Sequence, residues 1–237
     1  MNPDKILKRI CNAIISHVCH RNARLYVWYL RRKGIKIGTH FLIQNHSVKS
    51  VQIDVTRPSL VTIGNNVTVN KNFNLFTHDF VCGVFLNKYH DFVPSSGRVT
   101  IGNNVRFGVN CTVLKGVTIG DNCFIGAGSI VTKDIPSNSI AVGIPCHVIM
   151  PLDDYYKKRK IKCVEEALEY ARSIKERFGR RPEIEDFYEE FPLFLKGTDE
   201  VSTLPIKEQL RDSYQYYREH NKPVFDGFED FLNKAGI

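Results

Sequence analysis

From Ile101 to Pro136 the chain repeats with a strict period of six, reading IGNNVR, FGVNCT, VLKGVT, IGDNCF, IGAGSI, VTKDIP. The first position of each hexad is apolar: Ile101, Phe107, Val113, Ile119, Ile125 and Val131. The fifth is small or β-branched: Val105, Cys111, Val117, Cys123, Ser129 and Ile135. Gly and Asn crowd the positions between. An α-helix repeats every 3.6 residues and a half-buried strand every two, so neither carries this pattern. A solenoid does, when short strands turn a corner every six residues and each sends an inward side chain to the axis.

The rest of the chain is read against that period. Residues 3 to about 33 have Ile6, Ile10, Ile14 and Val18 at four-residue spacing, continued by Tyr26, Leu30 and Lys33, which predicts a helix. It is read as a cap on one end of the solenoid, because exposed ends of such arrays need covering. The same run holds nine Lys/Arg up to Lys36 and one acid, Asp4, so its rival reading is a basic amphipathic helix in peripheral contact with a membrane surface. The repeat begins near Ile35, blurs through SVKSVQIDVTRPSL with Pro58 at a corner, and sharpens at Ile63, Val69 and Leu75. It stops after LFTHDF, leaving an inserted loop over 81–97, and resumes in front of Ile101. Loops held by a rigid coil are where function tends to sit. From 151 the composition turns helical, with Val164, Leu168, Ala171 and Ile174 on one face, Gly179 as a stop, and further helices over Glu208–His220 and Phe225–Lys234. The expected organisation is an N-terminal cap (1–34), a coil domain (35–150) and a helical extension (151–237).

Charge divides the same way. Residues 1–150 carry 17 Lys/Arg against 6 Asp/Glu, and 151–237 carry 16 against 19, so the net +8 is concentrated in the coil half. A basic coil suits an anionic small molecule or surface. No nucleic-acid motif accompanies the charge, so a nucleic-acid partner is not expected. No apolar run approaches the ~20 residues of a membrane span. The N-terminus lacks a cleavable secretory pattern, and the seven Cys form no CxxC pair and no zinc-like spacing. A cytoplasmic protein with reduced thiols is expected.

At IGDNCFIGAGSIVTKDIP followed by GIPCHVI, the chain resembles the hexapeptide-repeat acyltransferases, and within them the sugar O-acetyltransferases of the galactoside, maltose and exopolysaccharide type. The resemblance covers about residues 30–150 and is most specific over 98–149. It implies a mainly β protein: a left-handed parallel β-helix with three hexads per coil, assembled as a homotrimer with active sites between subunits. It implies acetyl-coenzyme A as acyl donor, a sugar or glycan-precursor hydroxyl as acceptor, and no metal. The family's general base falls on His78, in LFTHDF. A sugar hydroxyl is a weak nucleophile, and a neutral imidazole suits the removal of its proton. Asp79, His90 and Asn72 are candidates for orienting the base or contacting the acceptor. Carried over by motif, the coenzyme contacts fall on Arg106, Gly108, Val109, Gly126, Ala127, Thr132, Lys133 and His147. Gly126 and Ala127 are expected to offer a flat face with free backbone amides, and a backbone N–H near Gly108 to receive the oxyanion. The chain departs from the pattern where the family commonly has Trp (Arg106), a small hydroxyl residue (Val109) and Arg (His147).

Three other readings compete. One is N-acylation of a nucleotide-linked amino sugar, or acetylation of a xenobiotic. Another is a zinc-dependent hydratase on the same solenoid, which needs three converging His. The last is a scaffold without catalysis.

Overall fold

The computed structural model describes residues 19, 22–199 and 201–237. The expected N-terminal helix is therefore seen only in its second half; residues 3–18 of that expectation lie outside the described residues. Asn22 starts a fresh helix, α1 (Ala23–Lys33), its side chain accepting hydrogen bonds from the N–H groups of Arg24 and Leu25. Gly34 ends α1 in the left-handed conformation. Tyr26, Tyr29 and Leu30 are buried in the coil core, so α1 caps the solenoid.

The hexads build three sheets, one per side of a triangular coil. The first stacks Lys36–Ile37, Val61–Ile63, Val99–Ile101 and Thr118–Ile119. The second stacks Leu42–Ile43, Thr68–Val69, Val105–Phe107, Cys123–Ile125 and Ser139–Gly143, with Cys146–Pro151 returning antiparallel. The third stacks Gln52–Ile53, Asn74–Leu75, Thr112–Val113 and Ile130–Val131. Regular coils close in three hexads, which sets Thr118 on Thr100, Phe124 on Arg106 and Ile130 on Thr112. Every first- and fifth-position residue from Ile101 to Ile135 is buried.

The abundant Asn is a corner device. Asn66, Asn72, Asn104, Asn110, Asn122 and Asn138 all have φ between 53 and 60. Asn tolerates this left-handed geometry where a β-branched residue does not. The amides also ladder along the axis: Asn72 donates to Asn110, and Asn104 to Asn122, which donates to Asn138.

The coils ahead of Val99 depart from the rule: Lys36 pairs with Thr62 and Leu42 with Thr68, 26 residues apart, and Gln52 with Asn74, 22 apart. The next spacing is the widest. Thr62 pairs with Thr100, Thr68 with Arg106 and Asn74 with Thr112, each pair more than six hexads apart where three would suffice. The surplus chain forms the insertion after Leu75. It holds a short helix, α2 (Cys82–Tyr89), where the sequence suggests only a loop. An antiparallel bridge between His78 and Ser96 closes the insertion's base. The blurred stretch ahead of it is also less strand-like than expected. It holds 3-10 turns at Gln44–Ser50 and Pro58–Leu60, the second beginning at the proline that ends regular pairing.

The chain divides into two compact units, Met1–Tyr155 and Tyr156–Ile237. Helix α3 (Leu152–Phe178) begins at the end of the first unit; its part in the second buries Ala167, Ala171 and Ile174 and stops at Gly179, with φ of 63. The helix expected over 208–220 is broken at Arg211, whose φ is 48. Phe187, Phe191, Phe194 and Phe231 are buried together, so most of the aromatic density of this unit is its own core.

Candidate active site

The site lies where the third face of the prism turns toward the first. Strand Asn74–Leu75 delivers Phe76, Thr77 and His78 to this corner; strand Gln52–Ile53, one coil away, delivers Asp54, Val55 and Thr56. The register pairs Ile53 with Leu75, which sets Asp54 against the Thr77–His78 turn. His78 Nδ1 is 2.6 Å from Asp54 Oδ2 and 3.3 Å from Thr56 Oγ1.

Asp54 is buried and heavily bonded. Its carboxylate accepts from Thr56 N–H (2.8 Å), the Thr56 hydroxyl (2.6 Å), Thr77 N–H (3.0 Å), the Thr77 hydroxyl and the His78 ring. Burial pushes this carboxyl up, but the hydrogen bonds from Thr56 and Thr77 outweigh it and hold it well below the usual carboxylate range. Asp54 is therefore an anion at neutral pH and acts only as an acceptor. It follows that Nδ1 of a neutral His78 carries the ring proton, and that Nε2 keeps a lone pair. A side chain 16% exposed with its tautomer set in this way can take a proton from a group in the adjoining cavity.

That cavity, about 700 Å³, is lined by Asp54, Thr56, His78, Phe80 and Lys115, with Tyr26 and Tyr29 contributed by α1. Burial pushes the Tyr26 phenol up to about 12, so it stays protonated; its oxygen donates to Val51 O and accepts from Ile53 N–H. Tyr26 is thus a structural wall. Phe80 is 82% exposed and meets the His78 ring edge-on at 5.3 Å.

Several sequence expectations change here. Asp79 does not orient His78. Its carboxylate pairs with Lys115 at 2.6 Å and accepts from Val81 N–H and the Ser95 hydroxyl. The hydrogen bond from Lys115 is the main influence lowering its pKa. Asp79 and Lys115 therefore tie the two ends of the insertion to the coil. His90 does not line the cavity: it ends α2 at φ 56, its N–H bonded to Leu86 O. Asn72 is a corner residue whose amide is committed to Asn110. Sequence reasoning misses Asp54 because it sits in the blurred stretch, where the hexad count fails. Counting back one coil, three to four hexads, from His78 is the signal that leads to this segment.

The coenzyme candidates fall on two corners. Arg106, Val109, Ala127 and His147 are exposed on or beside the second face, where Gly128 N–H bonds Val109 O. Thr132 and Lys133 are exposed one corner further on, in the row of His78 and Lys115. Gly108 is required for close stacking, since a Cβ there would meet Ala127 N at 2.5 Å. Two backbone donors are not free as expected: Gly108 N–H bonds Ile125 O and Gly126 N–H bonds Ala141 O, within the coil ladder. Gly126 is also buried. Among the described residues, no three His, Cys, Asp or Glu converge as a metal site.

Comparison with known proteins places this geometry in a family. The hexapeptide repeat of succinyl-transferase matches residues 98–133. Galactoside O-acetyltransferase of Escherichia coli K12 is 38% identical over 141 residues, 57% of this chain and 66% of that enzyme. Protein CapG of Staphylococcus aureus is 38% identical over 131 residues, 54% of this chain and 73% of its own. The solved maltose O-acetyltransferase of Clostridium difficile 630 aligns with TM-score 0.47 and 26% identity, covering 64% of this chain and 89% of that one. The assignment rests on the sequence matches. The chain belongs to the hexapeptide-repeat acetyltransferases, and its prism is their left-handed parallel β-helix. It spans about two thirds of the galactoside enzyme's length and about a third of several staphylococcal putative acetyltransferases.

Proposed function

We propose that this protein transfers an acetyl group from acetyl-coenzyme A to a hydroxyl of a sugar or glycan precursor, with His78 as general base and no covalent enzyme intermediate. The observation that carries the reading is the His78–Asp54 pair at 2.6 Å, facing a cavity of sugar size in a chain of this family. Membership supports the chemistry: the E. coli relative is named for galactoside O-acetylation.

The thioester supplies the acyl carbon and leaves as a thiol. His78 Nε2 takes the acceptor's hydroxyl proton as that oxygen attacks, and returns it to the departing sulfur. Asp54 holds Nδ1–H throughout and balances the imidazolium that forms between the two transfers. Phe80, Phe76 and the tyrosines of α1 form apolar walls suited to the C–H faces of a sugar ring.

We further infer a homotrimer with the site between subunits. The coenzyme candidates occupy two corners of one prism, so a second copy must bring its Arg106–Val109–Ala127 corner toward the first copy's His78–Lys133 corner for one coenzyme to touch both sets. The insertion supports this: Phe80, Val84, Leu86, Tyr89 and Phe92 are all exposed in the single chain, a surface apt for burial against a neighbour. Free thiols at all six described cysteines suit a reducing, cytoplasmic setting.

The test is an acceptor screen with acetyl-coenzyme A, following thiol release. Release that depends on a sugar hydroxyl is expected; its absence with every hydroxyl acceptor, alongside transfer to an amino sugar, would move the assignment to N-acylation.

A further inference from the structure

Helix α1 has two faces with opposite fates. Tyr26, Tyr29 and Leu30 cap the coil. The other face displays Arg24, Leu25, Trp28 and Arg32, with Leu25 45% and Trp28 50% exposed. Arg32 lies over the Trp28 ring, 5.5 Å from its centroid. Arg31, also exposed, donates to the carbonyls of Ile37 and Gly38 and so fixes the helix to the first coil. There is no acid in the helix, and Lys33 and Lys36 follow. The sequence ahead adds Lys5, Lys8, Arg9 and Arg21 against a single acid, Asp4.

We propose that the outer face of α1 docks on an anionic lipid surface. The residue types fit the depth profile of such an interface. Trp28 and Leu25, one helical turn apart and therefore on one side of the helix, supply the apolar part; a tryptophan settles at headgroup level with its ring in the acyl boundary and its N–H toward water. Arg24 and Arg32 flank them with cations for lipid phosphates, and their stems lie along the apolar boundary while the heads stay wet. Attraction to an anionic leaflet grows with each such cation. A second copy is the weaker occupant, because a self-facing contact would set the same arginines against one another with no acid among them. The helix that walls the cavity with Tyr26 and Tyr29 thus also holds the protein at a membrane, an inference that does not depend on the transfer reaction.

The experiment is co-sedimentation of the full chain with phosphatidylcholine vesicles, with and without about one third phosphatidylserine. Binding should need the anionic lipid and fall with added salt. The variant Arg24→Glu/Arg32→Glu should reduce partitioning at least ~10-fold, and Trp28→Ala alone severalfold. Both changes lie on the exposed face, so elution volume and thermal midpoint should match the parent; should the double variant misfold, Trp28→Ala decides. No binding of the parent to anionic vesicles, equal binding to neutral ones, or undiminished binding of folded variants would each overturn the proposal. Loss of oligomers by Trp28→Ala in size-exclusion light scattering, without lipid binding, would assign the face to a second copy instead.

Discussion

Two stretches of the same solenoid solve different problems. From Val99 to Val131 paired strands lie three hexads apart, every first and fifth position is buried, and every corner carries Asn or Gly. From Gln52 to Ser96 the spacing between paired strands lengthens and then more than doubles, turns interrupt the strands, and a helix is inserted. The regular stretch commits its backbone donors to the ladder, including Gly108 and Gly126 N–H. The irregular one buries a carboxylate, positions an imidazole and opens a cavity. Regularity makes a wall; the proposed reactive groups sit where it is broken.

The comparison can be tested at its extremes. In the irregular stretch, His78→Ala should lower acceptor-dependent kcat by about 10³-fold while mass in solution is unchanged. Turnover near the parent's would remove His78 from the chemistry. Asp54→Asn should lower kcat by about 10²-fold, since an amide does not hold Nδ1–H as an anion does. Asp54 also ties stability to pH. Its folded pKa is depressed, so it stabilises the protein above the unfolded carboxylate value, about 3.9, and that contribution fades as pH falls below it. The gap in urea midpoint between parent and Asp54→Asn should therefore be widest near neutrality and narrow below about pH 4. A gap independent of pH would mean the substitution acts by packing alone.

In the regular stretch the expected failure is structural. Gly108→Ala forces a Cβ to within 2.5 Å of Ala127 N, and should cost about 1–3 kcal/mol in urea unfolding. An unchanged midpoint would show the coils to be less tightly stacked than described. Between the two stretches lies Lys115, a regular-coil residue that holds the insertion through Asp79. Lys115→Ala should raise the acceptor KM severalfold with a smaller change in kcat, because it loosens the cavity's edge and leaves the dyad intact. The ion pair is half-exposed, so the thermal midpoint should move little.

The same contrast decides what sequence reveals. The wall is legible because its period is local: the apolar first position recurs every hexad, from Ile101 to Phe107 to Val113, so Phe107, Cys111 and Ser129 can be placed inside before any coordinates. His78 is legible through the motif before the break. Asp54 is not, because its link to His78 runs between coils across a stretch without a constant period. Nor is the Asp79–Lys115 tie, which joins residues on either side of the insertion through a side chain reaching along the corner. Asn72 misleads for the opposite reason: its type suggests a contact, yet its φ of 60 marks a corner.

The most direct test of the dyad is a double-mutant cycle on acceptor-dependent thiol release. If Asp54 acts through His78, the variant His78→Ala/Asp54→Asn should be no slower than His78→Ala alone, the two losses collapsing into one. Losses that multiply would contradict the account, and would mean that Asp54 serves the site by some route other than the imidazole.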